Sequence, residues 1–509
     1  MDGNIIFLTL IKTMRTHRIL LFVLFIGLTL NAIGQSAKSL VDETVHKEKI
    51  EAAISFIAAD EMRGRDTPSS ELDIAAKYLA TFMYGEGVKH APGMDSYFQD
   101  VPMRWTLTPN EGGLKAGNKD FMMGRDLMYL DGPAGEFNGE LVYLGYGREE
   151  DFAGKNVKGK VVVVDVGMPE WNTPDAGFRN ADVKVKRAMR HGAVALIELY
   201  GFKELSFKVL VEYMGRGSRI ELDMSSGHGR SEIPYLWLDA SDEKTAEFLK
   251  SHKENVELVL DGHFSISFTT RNVIGYVEGS DPKLKEEIVI YSAHYDHIGV
   301  GEVDMHGDSI YNGTRDNAVG TVTVMEAARN IAKYPLKRSA MFIFFTGEEQ
   351  GLLGSEWYVE HPVVPLEKVV YCFNSDNAGY NDTTAVTIIG LERTTASKQL
   401  KDACAAYGLR TTGDPAPEQN LFDRSDQVSF AQKGVPALMY SMGMKDFGDE
   451  ILKHYHRQSD NPDSVDYDYL YKFTKAYVMA CRLVGDMKER PYWVKGDRYY
   501  EAGEHLYKR

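Results

Sequence analysis

The stretch "SAHYDHIGVG" (292–301) sets His294, Asp296 and His297 within four positions, directly after an apolar run. Further on, "NGTRDNAVG" carries Asp316, "FFTGEEQG" carries Glu348 and Glu349, "CFNSDNAG" carries Asp376, and "HYHRQSD" carries His454 and His456. Imidazoles and carboxylates move protons and hold cations. Singly, each has an ordinary explanation: an N-cap for Asp316, a solvated turn for the paired glutamates, an Asx turn for Asp376, a satisfied loop histidine for His456. Gathered in one cleft, the acids would repel and raise one another's pKa. Two divalent cations remove that conflict, because three carboxylates and one bridging hydroxide carry four negative charges against the four positive charges of two Zn²⁺. Neutral imidazoles complete a ligand set that zinc accepts.

The elements around these residues explain how they would meet. From about residue 270, apolar runs alternate with helical patterns. The strand candidates are "RNVIGYVEG", "EEIVIYSAH", "SAMFIFFTG", "KVVYCFNSD", "TAVTIIG" and "VPALMYSMG". Helical periodicity falls at 318–333, 397–408, 424–433 and 468–487. Such alternation predicts an α/β fold, a mostly parallel sheet sandwiched by helices. In these sheets functional groups collect where strands end, and that is where the candidate residues fall.

In this order the motifs resemble the two-zinc metallo-exopeptidase family of secreted bacterial and vacuolar aminopeptidases and glutamate carboxypeptidases. The matching pattern, over about 270–487, is His-x-Asp, Asp-Asn-Ala-x-Gly, Glu-Glu, an Asp after a strand, and a late His. The resemblance implies that His294 and Asp376 hold one zinc, that Glu349 and His456 hold the other, and that Asp316 bridges both. It further implies Glu348 as general base and Asp296 as orienter of the His294 ring. His456 is chosen over His454 because the family's histidine stands four residues before an Asp, which Asp460 supplies. His297, on the opposite strand face by period-2 alternation, is read as structural.

The rest of the chain frames this site. Residues 35–130 read as the N-terminal part of the peptidase domain, with "ELDIAAKYLATFMYGEG" (71–87) as a helix, and 266–509 as its catalytic part. Between them, 131–265 turns to short strands bounded by glycine. Its "GELVYLGYG", "GKVVVV" and following "HGAVALI" resemble a protease-associated domain inserted into the peptidase. At the amino terminus, basic Arg15 and Arg18 precede the apolar "ILLFVLFIGLTL" and a small-residue step at Ala32 and Gly34. This reads as a signal peptide over 1–34, its start possible at Met14, and implies an exported protein, periplasmic or secreted, with no stable membrane span after cleavage.

Composition sets limits. A net charge of −16 over 509 residues disfavours nucleic acid as a partner. Three cysteines rule out a disulfide framework; Cys372 reads as a buried small hydrophobe, and pairing of Cys404 with Cys481 stays open. No Gly-x-Ser-x-Gly elbow and no His-Glu-x-x-His helix is present. The expected activity is metallo-aminopeptidase, acting on peptides with a free N-terminus through two zinc ions per chain. The alternatives are a carboxypeptidase of the same family, a glutaminyl cyclase and a non-catalytic ectodomain. Asn317, where the carboxypeptidase branch often has Pro, leans to the aminopeptidase. Val319 and Gln427 depart from the frequent Ser and His of the family and bear on the substrate pocket.

Overall fold

The computed structural model describes residues 36–169, 183–203, 205–214, 218–223 and 231–508. The signal segment expected over 1–34 lies outside these residues. No helix among them is long and apolar enough to cross a membrane. The chain divides into two compact units, one holding the residues up to Gln99 together with those from Asn272 onward, the other holding Asp100–Arg271.

In the first unit the sheet is built from β1 (Phe264–Val277, with Asn272–Val277 in this unit), β2 (Ile288–His294), β3 (Ser339–Phe345), β4 (Val369–Ser375), β5 (Ala385–Ile389), β6 (Arg410–Thr412) and β7 (Ala437–Met442). Across the sheet they run β6-β5-β7-β4-β2-β3-β1. β2 is parallel to β3 and β4, β4 to β7, and β5 to β6. Antiparallel joins occur where β1 meets β3 and where β5 meets β7. The sheet is therefore mixed, with a parallel centre. All six strands read from the sequence are present; β6, only three residues long, carries no detectable pattern.

The central strands are buried along their whole length, as expected when both faces of a parallel sheet are covered. Alternation decides which core each residue joins. Val289, Tyr291 and Ala293 pack with helices Val319–Lys333 and Tyr467–Gly485 on one face. Ile288 and Ile290 pack with Met341, Ile343, Phe430 and Trp493 on the other. The helices Ala37–Thr44, Lys47–Ile57 and Ser70–Gly85 complete the first of these layers. All three cysteines are free and buried, so Cys404 and Cys481 are not bridged.

The second unit carries an eight-stranded mixed sheet. Its centre is the parallel set Gly135–Tyr143, Val161–Asp165, Ala195–Tyr200 and Tyr235–Asp239. Valines 161–164 fill both of its faces. This unit begins at Asp100, and Glu111–Ala116 and Lys119–Met122 pair as its edge hairpin.

Candidate metal centre

β2 ends on His294, and β3 and β4 run out into Glu348 and Asp376 after one to three residues. Asp316 arrives from a wide turn, Thr314–Ala318, that leads into helix Val319–Lys333. The N-cap of that helix is Ala318, and its first-turn Gly320 N–H is taken up by Asn317 Oδ1 at 3.1 Å. The Asp316 carboxylate is left to face His294 and His456. The Asn317 amide also donates to the Ser375 carbonyl at 2.9 Å, tying this turn to the end of β4 beside Asp376. Gly320 is required here, since a Cβ would meet Asn317 Oδ1 at 2.2 Å and the Ser375 carbonyl at 2.3 Å.

The side chains converge. Nε2 of His294 stands 3.3 Å from Asp316 Oδ1 and 3.4 Å from Asp376 Oδ1. Nε2 of His456 stands 3.2 Å from Asp316 Oδ2 and 3.1 Å from Glu349 Oε2. Glu348 and Glu349 follow one another at the end of β3, and one ligand atom from each lies with one from His294 inside a 4.8 Å cluster. Equivalent clusters join His294, Asp316 and Asp376, and His297, Asp316 and Glu349. His456 adopts a left-handed backbone, φ 55°, a conformation costing a non-glycine residue about 1–2 kcal/mol.

The electrostatics follow from burial. Asp316 is held well below the usual carboxylate range: burial opposes ionisation, but contacts with His294 and His456 outweigh it. Against burial, Asp316 and Glu349 raise His456 to about 10, and Glu348, Asp376 and Asp316 hold His294 well above its ordinary value. Glu348 goes the other way. Burial pushes its carboxyl well up; His294 resists, and the charges of Asp376, Glu349 and Asp426 add to the rise. Without cations the imidazoles serve as the positive charges of the site. Zinc takes the same donors, so these residues fit it.

The profile of "Peptidase family M28" matches residues 272–480. Those residues are a peptidase family M28 domain. Relatives include leucine aminopeptidase 2 of Trichophyton rubrum, 24% identical over 395 residues that cover 73% of this chain and 71% of that one. Aminopeptidase YwaD of Bacillus subtilis is 24% identical over 365 residues, covering 72% and 70%. In fold, the chain is similar to an aminopeptidase from Aneurinibacillus sp. strain AM-1, with a TM-score of 0.57, 21% identity, and coverage of 87% of this chain and 95% of that one.

Within the M28 domain, all seven residues singled out from the sequence sit at or beside one site, but two neighbours play parts the sequence did not suggest. His297 is not a bystander on the far face. The chain leaves β2 after His294, strand alternation no longer applies, and His297 Nδ1 lies 2.6 Å from Glu349 Oε1. Asp296 does more than orient His294. The His294 Nδ1 is nearer to the Asp296 main-chain oxygen, at 3.2 Å, than to its carboxylate, at 3.8 Å. The carboxylate accepts the Glu348 and Glu349 N–H groups at 3.2 and 3.4 Å, and so fixes these two residues together. Burial raises its pKa to about 7, with the Glu349 charge adding and His294 opposing.

Two supports of the M28 site lay beyond sequence reasoning. Asp460, used above only to align His456, accepts the main-chain N–H groups of Arg315 and Asp316, at 2.9 and 3.2 Å to Oδ2, and holds the bridging turn from below. Arg65 comes from the N-terminal segment, outside residues 272–480. Fully buried, it donates to the carbonyls of Tyr295, Ile57, Asn312 and Gly313 at 2.7–3.0 Å. It locks the His294–His297 loop to the approach to Asp316. Burial lowers it to about 10, and the charges of Asp296, Asp460, Asp316 and Glu349 keep it from falling further. An arginine among turn residues carries no metal-type signal, so only the fold reveals it.

Proposed function

We propose that this chain is an exported zinc aminopeptidase that removes N-terminal residues from peptides at a two-metal centre. The observation that carries the reading is Asp316, whose two oxygens face two separate imidazole–carboxylate groups. His294 and Asp376 would hold one zinc, Glu349 and His456 the other, with Asp316 common to both. Zinc bound there supplies Lewis acidity toward the scissile carbonyl and makes water acidic enough to attack near neutral pH. Glu348, in the same cavity of about 450 Å³, takes the proton of the attacking water and delivers it to the leaving amine. Asp296 holds Glu348 and Glu349 in place through their backbone. The choice of the amino end is supported by the names of the relatives. The Asp100–Arg271 unit is read as a protease-associated insert on its sequence elements, and export on the N-terminal segment.

The test is a mass-spectrometric digest of one peptide set, each member free, N-acetylated and C-amidated, with and without a chelator. Stepwise loss from free amino termini, blocked by acetylation and by chelator, is the expected result. Trimming that ignores acetylation but stops on amidation would make the enzyme a carboxypeptidase. Ring closure of N-terminal Gln without cleavage would make it a cyclase.

A further inference from the structure

The cavity that holds Asp316, Glu348, Glu349, Asp376 and His456 is walled mainly by apolar side chains, among them Leu352, Leu421, Met439 and Met444. Two charged residues outside the metal set also line it, Asp423 and Arg424. They differ in kind. Asp423 is engaged, accepting from Arg498 and from the Asn420 amide. Arg424 is exposed, and its guanidinium meets no carboxylate within ion-pair distance among the described residues. It is nevertheless placed: Nη2 donates to the Tyr455 hydroxyl at 3.3 Å, and Cζ lies 5.8 Å from the centre of the Phe447 ring. Tyr455 in turn stacks on His456, ring centres 4.0 Å apart and planes 22° apart, and Phe447 packs edge-on against Tyr455 at 5.6 Å. The cation thus stands one aromatic side chain from the proposed ligand set, on the wall of the same cavity.

Charge completes the argument, which rests on the two-metal reading above. With both cations bound, the three ligand carboxylates and the hydroxide are neutralised, and Asp423 is already paired. Arg424 then stands as a fixed positive charge on the wall of an otherwise apolar cleft, its planar fork suited to a carboxylate. We propose that Arg424 is a carboxylate-binding element of the substrate cleft. It would select substrates that carry a carboxylate besides the group at the cleaved bond. That group is either the C-terminus of a short peptide or the side chain of an acidic N-terminal residue.

Two substrate pairs separate these sources: Leu-Gly-Gly against its C-terminal amide, and Glu-p-nitroanilide against Gln-p-nitroanilide. Ratios of kcat/KM within each pair are measured for the wild-type zinc enzyme, for Arg424→Gln and for Arg424→Glu. The expected result is that the acid-to-neutral ratio of one pair falls about two- to fivefold in Arg424→Gln, the scale of an exposed charge pair, and further in Arg424→Glu. A fall in the first pair assigns the C-terminal carboxylate, and a fall in the second assigns the side chain. Unchanged ratios in both pairs, with or without a uniform loss of rate, would overturn the proposal while leaving the aminopeptidase reading intact. Absence of turnover of all four substrates by the wild-type zinc enzyme would overturn both.

Discussion

Asp316 offers its two carboxylate oxygens to two different imidazoles, Oδ1 to His294 at 3.3 Å and Oδ2 to His456 at 3.2 Å. Both contacts depend on a turn pinned by Asn317 above and Asp460 below. Asp316→Asn keeps the shape but replaces one oxygen by a donor that faces an imidazole or a cation. The expected outcome is loss of both zinc ions in metal analysis and of all measurable turnover, with the fold retained by circular dichroism. Retention of one full equivalent of zinc would show that Asp316 serves a single metal.

His297 has its Nδ1 2.6 Å from Glu349 Oε1, while His456 meets Oε2 of the same carboxylate at 3.1 Å. Glu349 is therefore held on both sides, and His456 Nε2 also stands 3.2 Å from Asp316 Oδ2. His297→Gln is expected to weaken the second zinc about 10- to 100-fold, the usual cost of removing a partner that orients a ligand. The first zinc, at His294 and Asp376, stays. Titration with a competing chelator resolves the two. Equal weakening of both ions would place His297 elsewhere in the site.

Glu348→Gln removes the proton carrier but none of the residues assigned to hold zinc. The variant is expected to bind the wild-type complement of zinc and to lose about 10²–10⁴-fold in kcat, the range of general acid–base contributions. KM should change far less. Activity within threefold of wild type would mean that another group takes the proton.

How much of this was legible beforehand differs by residue. The strands that deliver His294, Glu348 and Asp376 announce themselves as apolar runs ending in polar groups, so the parallel centre and the gathering of these side chains were readable. The same local logic misplaced His297, because period-2 alternation holds only while the chain stays in the sheet, and β2 ends three residues earlier. Asp460 and Arg65 act on main-chain groups brought in by other segments. Contacts of that kind depend on tertiary placement and leave no local pattern. The edge strand Arg410–Thr412 is too short for alternation to register.

Zinc affinity should depend on pH through the imidazoles. In the metal-free protein His456 is raised to about 10, against burial, by its contacts with Asp316 and Glu349. The sign is that of a raised histidine. The imidazolium–carboxylate contacts stabilise fully below the unfolded value near 6.5 and fade as pH rises through about 10. Between those values zinc must displace a proton from His456, so its affinity is expected to rise about tenfold per pH unit for each proton displaced. Calorimetry in two buffers of different ionisation enthalpy would register that proton as a buffer-dependent heat. Identical heats in both buffers at pH 7.5 would show the imidazoles to be neutral before zinc arrives.

Arg65 is expected to matter more than its distance from the chemistry suggests. One guanidinium satisfies four buried carbonyls, from Ile57, Tyr295, Asn312 and Gly313. Three of these, from Tyr295, Asn312 and Gly313, belong to the loops that carry His294 and Asp316. Leaving a buried carbonyl unpaired costs about 1–3 kcal/mol. Arg65→Met therefore risks most of a typical folding stability of about 5–15 kcal/mol. Arg65→Lys is the informative change. It keeps the charge, but a single ammonium cannot reach four acceptors arranged for a planar fork. The lysine variant should fold with a lowered Tm in the metal-free state and bind zinc more weakly, because the turn bearing Asp316 is no longer clamped to the His294 loop. Thermal unfolding with and without zinc separates the two effects. If the Tm falls equally in both states, Arg65 supports the fold alone; a larger fall with zinc present shows that the clamp also shapes the metal centre.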